Sequence, residues 1–313
     1  MREYTVSEKE EGLSLIKFSS RVLKEAPNGL LFKFLRNKNI ELNGKKAESG
    51  AVLKCGDRVA FFLSDETFMR FHGHKDDSAG GEGKKDSTPS LEKDRILYED
   101  DDYLFYDKPA GLKTQGDGSG RPSLNDLLLR YTGTEEGSLC RPSVCNRLDT
   151  NTSGIVLCGK SVKGLQSLSL AIKEHRIRKY YRAVLKGRVE GGRFVSFLKP
   201  SGDDNKVSVL DSPKNGYKEI ITELQVIDGN ADLTYAELCL LTGRKHQIRA
   251  QMAHIGHPVI GDRKYGREEK GASRQLLHSS RVSLPEDMLD GLTVTAPLPS
   301  DMERYLKRNG LRT

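Results

Sequence analysis

Val144-Cys145-Asn146-Arg147-Leu148-Asp149-Thr150-Asn151-Thr152-Ser153-Gly154-Ile155-Val156-Leu157 sets an arginine and a carboxylate two residues apart, adds a hydroxyl-rich turn closed by glycine, and ends in an apolar run that reads as a strand. An aspartate in such a loop is a candidate nucleophile or base, and a guanidinium within a few ångströms favours its ionised form. The same residues also suit an ordinary turn, because Asp and Thr side chains bond to their own backbone. Further on, Leu240-Leu241-Thr242-Gly243-Arg244-Lys245-His246-Gln247-Ile248-Arg249 supplies more cations.

The chain around these stretches has 313 residues, which exceeds the usual size of one domain and predicts two of unequal length. A formal charge of +7 points to a polyanionic partner, since clustered Lys and Arg displace counterions from phosphates. The five cysteines are odd in number and none has the spacing of a zinc or redox motif, which fits a reducing, cytoplasmic setting. Met1-Arg2-Glu3-Tyr4 opens no signal-peptide core, and no apolar run is long enough to span a bilayer, so no membrane association is expected.

Residues 72–92 hold one large apolar residue among Gly, Ser and mixed charge, and read as a flexible linker between a domain at 1–71 and another at 93–313. In the first, Ser20 to Ala26 and Leu30 to Arg36 read as helices broken by Pro27-Asn28-Gly29. Ile40-Glu41-Leu42 then meets the turn signal Asn43-Gly44, and Asp57 to Phe62 reads as the closing strand. From Lys17 to Arg58 ten Lys or Arg face four acidic residues, which is compatible with an ordinary solvated face as well as with a binding one. In the second domain, strands are expected at 103–106, 155–158, 181–185, 220–224 and 236–240, and helices at 123–131, 162–175 and 243–255 with Thr242 as a cap. Strands that outnumber helices without regular βαβ alternation imply an α+β domain on a mixed, mostly antiparallel sheet.

The loop at 146–154 resembles the His-Arg-Leu-Asp-x-x-Thr-Ser-Gly signature of the RluA-type family of RNA pseudouridine synthases, with Asn146 in place of the histidine. Three more ordered blocks carry the resemblance: Tyr106-Asp107-Lys108-Pro109-Ala110-Gly111-Leu112, then Lys179-Tyr180-Tyr181, then Thr242 to Arg249 continuing through His254, Gly256-His257-Pro258, Gly261-Asp262 and Tyr265-Gly266. The N-terminal helices and small β-unit, with Lys33, Arg36, Lys38, Lys45 and Lys46 nearby, resemble an S4 RNA-binding domain.

The resemblance implies isomerisation of uridine to pseudouridine in structured RNA, with large-subunit ribosomal RNA the expected substrate and transfer RNA the alternative. It implies Asp149 as the catalytic aspartate, Arg244 as the cation paired with it and Tyr181 as the aromatic that packs on the target base. Arg147 would fill the gap left by the flipped base, Ile248 would form an apolar wall, and Arg249 and Lys108 would contact substrate. Such an enzyme works as a monomer without a cofactor, and neither a nucleotide-binding fingerprint nor a zinc-spaced cysteine set is present. No metal is expected either: His246, His254, His257 and Asp262 mix a helix with the turn after it, and His72-Gly73-His74 falls in the linker.

Two rival readings stand beside this one. The chain could be an S4-containing RNA-binding protein without activity, or a glycosidic hydrolase in which Asp107 or Asp262 supplies the second carboxylate. Asn146 is expected to alter the packing of the loop and leave its chemistry alone.

Overall fold

The protein is described from a computed structural model covering residues 1–72, 90–134, 139–200 and 206–313. Most of the segment read as a linker lies outside these residues. Its edges do not: His72 ends a helix and its ring Nδ1 lies 2.7 Å from the carbonyl of Val22, while Leu91 is buried in the largest core cluster. His72 thus belongs to the helix before the segment, and Leu91 to the core after it.

The N-terminal unit contains strand β1 (Arg2–Thr5), helices α1 (Leu15–Val22) and α2 (Asn28–Arg36), strands β2 (Ile40–Leu42) and β3 (Arg58–Phe61), and helix α3 (Asp65–His72). The strands form an antiparallel sheet in the order β1-β3-β2. Helix α1 buries Leu15, Phe18, Ser19 and Val22, an i, i+3, i+4, i+7 stripe that starts five residues before the helix expected at Ser20. It ends at Val22, because Leu23 leaves helical geometry. Asn43 and Gly44 both have positive φ, the geometry of a tight primed turn, but they only return the chain to Lys45; β3 joins β2 after a longer excursion. Phe18, Phe61 and Phe68 fill the core of this unit, and Cys140 and Val162 from later in the chain complete it.

The remaining residues build one sheet from β4 (Ile96–Glu99), β5 (Tyr103–Lys108), β6 (Ser143–Val144), β7 (Ser153–Gly159), β8 (Arg178–Lys186), β9 (Gly192–Pro200), β10 (Val207–Leu210), β11 (Lys218–Gly229), β12 (Leu233–Leu240), β13 (Leu277–Ser283) and β14 (Thr293–Thr295). Helices α4 (Leu124–Tyr131), α5 (Val162–Lys173), α6 (Gln247–His254) and α7 (Ser300–Arg308) accompany it. The main strand order is β10-β9-β11-β12-β8-β13-β7-β5-β4, with β6 on β7 and β14 on β13. All pairs are antiparallel except β13 with β7, so the α+β, mostly antiparallel expectation holds. Among the described residues no helix is long and apolar enough to cross a membrane.

The parallel junction sets the path of the loop quoted at the outset. Gly154 has φ +108°, and a Cβ there would lie 2.2 Å from the carbonyl oxygen of Ser279 on β13. Only glycine fits, on both counts. Gly154→Ala is expected to destabilise the fold by at least the ~1–3 kcal/mol of backbone strain alone. Chemical denaturation checks this, and an unchanged midpoint would refute the close approach.

Candidate active site

Strands β12, β8, β13 and β7 are consecutive neighbours in the middle of the sheet. The loop before β7, the face of β8 and the turn from β12 into α6 therefore converge from distant parts of the sequence. They line a cleft bounded by Arg147, Leu148, Asp149, Thr152, Tyr181, Leu240, Arg244, His246, Gln247, Ile248, Arg249 and Leu277.

The loop bearing Asp149 is pinned by its backbone. Thr114 Oγ1 donates to the Leu148 carbonyl at 2.7 Å and accepts from the Leu148 N–H. The Thr150 carbonyl accepts from the Gly111 N–H at 2.8 Å, and the Asn151 carbonyl from Arg274 at 3.2 Å. Asn146, the departure from the family signature, accepts from the Leu157 N–H at 2.7 Å and ties the loop to β7. With the backbone held this way, the Asp149 carboxylate is left facing the cleft.

Lys108 does not line the cleft, contrary to its expected substrate contact. It is fully buried, and its ammonium donates to the carbonyls of Pro109 at 3.0 Å, Leu112 at 2.8 Å and Thr150 at 3.1 Å. Three carbonyls saturate three donors, so the residue is a staple between two loops. Burial and the nearby Arg274 push its pKa down to about 7, against the pull of Asp149 and Asp107.

The cation on Asp149 also differs from expectation. Arg249 Nη1 donates to Asp149 Oδ2 at 2.6 Å, whereas Arg244 lies exposed at the rim, where its N–H donates to Gln247 Oε1. The reason is helical geometry. Helix α6 starts only at Gln247, not at Gly243, and Arg249 occupies its inward face while Arg244 sits in the preceding turn. Thr242 does not cap the helix; its hydroxyl donates to Gln247 Oε1 at 3.0 Å and accepts from the Ile221 N–H at 2.9 Å.

Arg249 is gripped from behind by Asp262, through Nε to Oδ2 at 2.7 Å and Nη2 to Oδ1 at 2.9 Å. Burial opposes charge on both partners, yet Asp262 and Asp149 hold the guanidinium above its usual range, while Arg249 and the N–H groups of Lys264 and Tyr265 hold the Asp262 carboxyl below its own. Asp262 Oδ1 also accepts from the N–H groups of Lys264 and Tyr265. The Gly261-Asp262-x-x-Tyr265 block is visible in the sequence, but its spacing does not say which arginine the aspartate holds.

Tyr181 is 7% exposed and lines the cleft, and burial pushes its phenol up to about 12, which keeps it neutral. Ile248 is 3% exposed and also lines the cleft. Arg147 is exposed at its rim. The histidines face different partners: His246 meets Tyr265 and Asp149, His254 meets Asp211, and His257 meets the carbonyl of Lys186. Asp107 pairs with Arg95 at 3.3 Å.

Residues 102–254, which include this loop, Tyr181 and Arg249, match the family model described as RNA pseudouridylate synthase. A Rickettsia conorii protein named ribosomal large subunit pseudouridine synthase C is 30% identical over 280 residues, spanning 87% of this chain and 89% of that one. The chain belongs to the RluA-type RNA pseudouridine synthase family. It is thus an isomerase that acts on RNA.

Other pseudouridine synthases share both its length and its fold. A Bacillus subtilis protein, named an uncharacterized RNA pseudouridine synthase, is 28% identical over 97% of this chain and 96% of its own length. The solved structure of human RNA pseudouridylate synthase domain containing 4 superposes with a TM-score of 0.58 at 20% identity, over 70% of this chain and 94% of that one, which is a likeness of fold.

Proposed function

We propose that this pseudouridine synthase modifies large-subunit ribosomal RNA and that Asp149 is its essential carboxylate. One observation carries the reading: an aspartate with a quarter of its side chain exposed lines the cleft with an arginine on one oxygen and a histidine beside the other, and shares that cleft with a buried tyrosine. The isomerisation breaks the N1–C1′ bond, forms a C5–C1′ bond, releases the C5 proton and protonates N1. It needs no redox partner and no group donor.

Uracil inside a structured RNA must leave its stack to reach such a cleft, at a cost of a few kcal/mol. Tyr181 offers the ring that restores part of it, worth ~1–3 kcal/mol per base, with Ile248 as the apolar wall beside it. Arg147, exposed at the rim, fills the vacated place in the RNA, and Arg244 contacts backbone phosphate. Arg249, bonded to Asp149 Oδ2 at 2.6 Å, orients the carboxylate.

The N-terminal residues 1–71 serve in this proposal as an S4-like RNA-binding unit and residues 93–313 as the catalytic domain. Lys33, Arg36, Lys38, Lys45 and Lys46 are all exposed, on or just after α2 and at the Asn43-Gly44 turn, as a phosphate-facing surface requires. The hydrolase reading is disfavoured because Asp262 is fully buried under Arg249 and Asp107 is 8% exposed and paired with Arg95. Ribosomal RNA is favoured over transfer RNA because relatives such as the Rickettsia conorii protein carry the ribosomal large-subunit name.

Mapping pseudouridine in ribosomal and transfer RNA from cells with and without the protein tests this. Sites lost from large-subunit ribosomal RNA and restored by the gene are expected. Loss confined to transfer RNA would overturn the substrate, and release of free uracil would overturn the isomerisation.

A further inference from the structure

Asp149 meets two groups, and the second has no role in the reading so far. Its Oδ1 faces Nε2 of His246 at 3.6 Å, while Oδ2 is taken by Arg249. His246 holds φ 56° and ψ 18°, a left-handed conformation that side-chain-bearing residues rarely adopt, and its side chain caps nothing at the start of α6. What that backbone achieves is to place the imidazole among the residues that line the cleft.

The ring's other nitrogen has a partner that suits one tautomer. Nδ1 lies 2.8 Å from the Tyr265 hydroxyl, which already accepts from the Val207 N–H of β10 at 3.0 Å. With one hydrogen arriving from Val207, the hydroxyl's own proton is available to Nδ1. A neutral imidazole carries one N–H, and a ring that accepts at Nδ1 carries it on Nε2, the nitrogen that faces Asp149. The charged groups around the ring are Asp149, Arg249, Lys264 and Lys245; burial, opposed by Asp149 and aided by the three cations, pushes its pKa down to about 4.

We propose that His246 is a positioning residue for the isomerisation: its neutral imidazole, held in one tautomer by Tyr265 and β10, orients Asp149 Oδ1 without adding a second positive charge to the carboxylate. The inference rests on the reading of Asp149 as the essential carboxylate. Arg249 alone fixes one oxygen and leaves the other free to swing. A second cation would fix it too, but would lower the basicity and nucleophilicity that the carboxylate needs. A neutral N–H donor orients at less cost to reactivity. The 3.6 Å separation is longer than a hydrogen bond, and such contacts in a free enzyme tighten when substrate enters.

The test uses the full chain on total RNA from cells that lack the protein, with Asp149→Asn measured in parallel. His246→Gly removes the ring and accepts the left-handed backbone without strain. His246→Asn also tolerates that backbone and returns an N–H donor. We expect kcat to fall by about 10–100-fold in His246→Gly, as a misplaced group costs, with KM for RNA within about twofold. His246→Asn should recover part of the loss, and free imidazole should recover activity in the glycine variant.

A glycine variant with wild-type kcat would overturn the proposal, as would a loss carried wholly by KM. Failure of both asparagine and imidazole to restore kcat in folded protein would overturn it too. Between about pH 6 and 8 the wild-type kcat should show no imidazole limb; one that vanished in His246→Gly would refute the neutral role. If Asp149→Asn itself stays active, the underlying reading fails. If Asp149→Asn is dead and His246→Gly is not, only this inference fails.

Discussion

Asp149→Asn is expected to bind RNA as the wild type does and to form pseudouridine about 10²–10⁴-fold more slowly, the span that separates a positioned proton-transfer group from its absence. The substitution is nearly isosteric, and the amide oxygen can still accept from Arg249 Nη1, which now reaches Oδ2 at 2.6 Å. The loop is held by Thr114, Gly111, Arg274 and Asn146 through its backbone and not through the carboxylate, so its conformation should survive. What disappears is the negative charge in the cleft. Single-turnover assays with enzyme in saturating excess over RNA separate the chemical step from binding, and a variant that restored the cellular pseudouridines would sink the assignment.

Arg249→Met is expected to cost both activity and stability. Its side chain is 9% exposed and that of Asp262 is 0%, so removing the guanidinium takes the cation from a buried carboxylate and leaves it the N–H groups of Lys264 and Tyr265. Breaking a buried pair from one side costs ~3–5 kcal/mol. The pH dependence has a definite sign. In the wild type the Asp262 pKa is depressed, so its stabilising contribution is present above the unfolded-state value near 3.8 and is lost as pH falls through the folded value. In the variant, burial without a partner raises that pKa, and protonation relieves the penalty. The stability gap between the two proteins should therefore narrow from pH 7 towards pH 4. Arg249→Met with Asp262→Leu should recover much of the stability and none of the activity, because Asp149 still lacks its cation. Recovery of both would show that Arg249 serves only the fold.

Much of the sheet is legible because its strands are short runs rich in β-branched, aromatic and other apolar residues, which suit strands buried on both faces. Tyr103 to Tyr106, Ile155 to Cys158 and Ala236 to Leu240 lie within the strands expected of them. The helix before Arg249 was overextended because Gly243 to His246 are compatible with a helical start, and only the bonds of Gln247 to Thr242, Ile221 and Thr222 fold them into a turn. The N-terminal helix begins at Leu15, ahead of Ser20, because the apolar stripe of Leu15, Phe18 and Val22 carries it through the Ser19-Ser20 pair, which by itself suits a helix start.

The sequence by itself determined the chemistry on offer: an Asp149 loop closed by a glycine, a tyrosine in a strand, and a cluster of cations that follows β12. These are local patterns, carried by residue type and spacing, and they suffice to assign the family. The tertiary structure alone decided which groups meet. Arg249 and not Arg244 reaches Asp149, Lys108 is spent on carbonyls, and His246 turns its ring to the carboxylate. These contacts depend on strand order and on the handed offset of a helix start, and they join residues about a hundred positions apart. No spacing rule along one chain encodes them, because each partner is selected by the packing of the sheet between them.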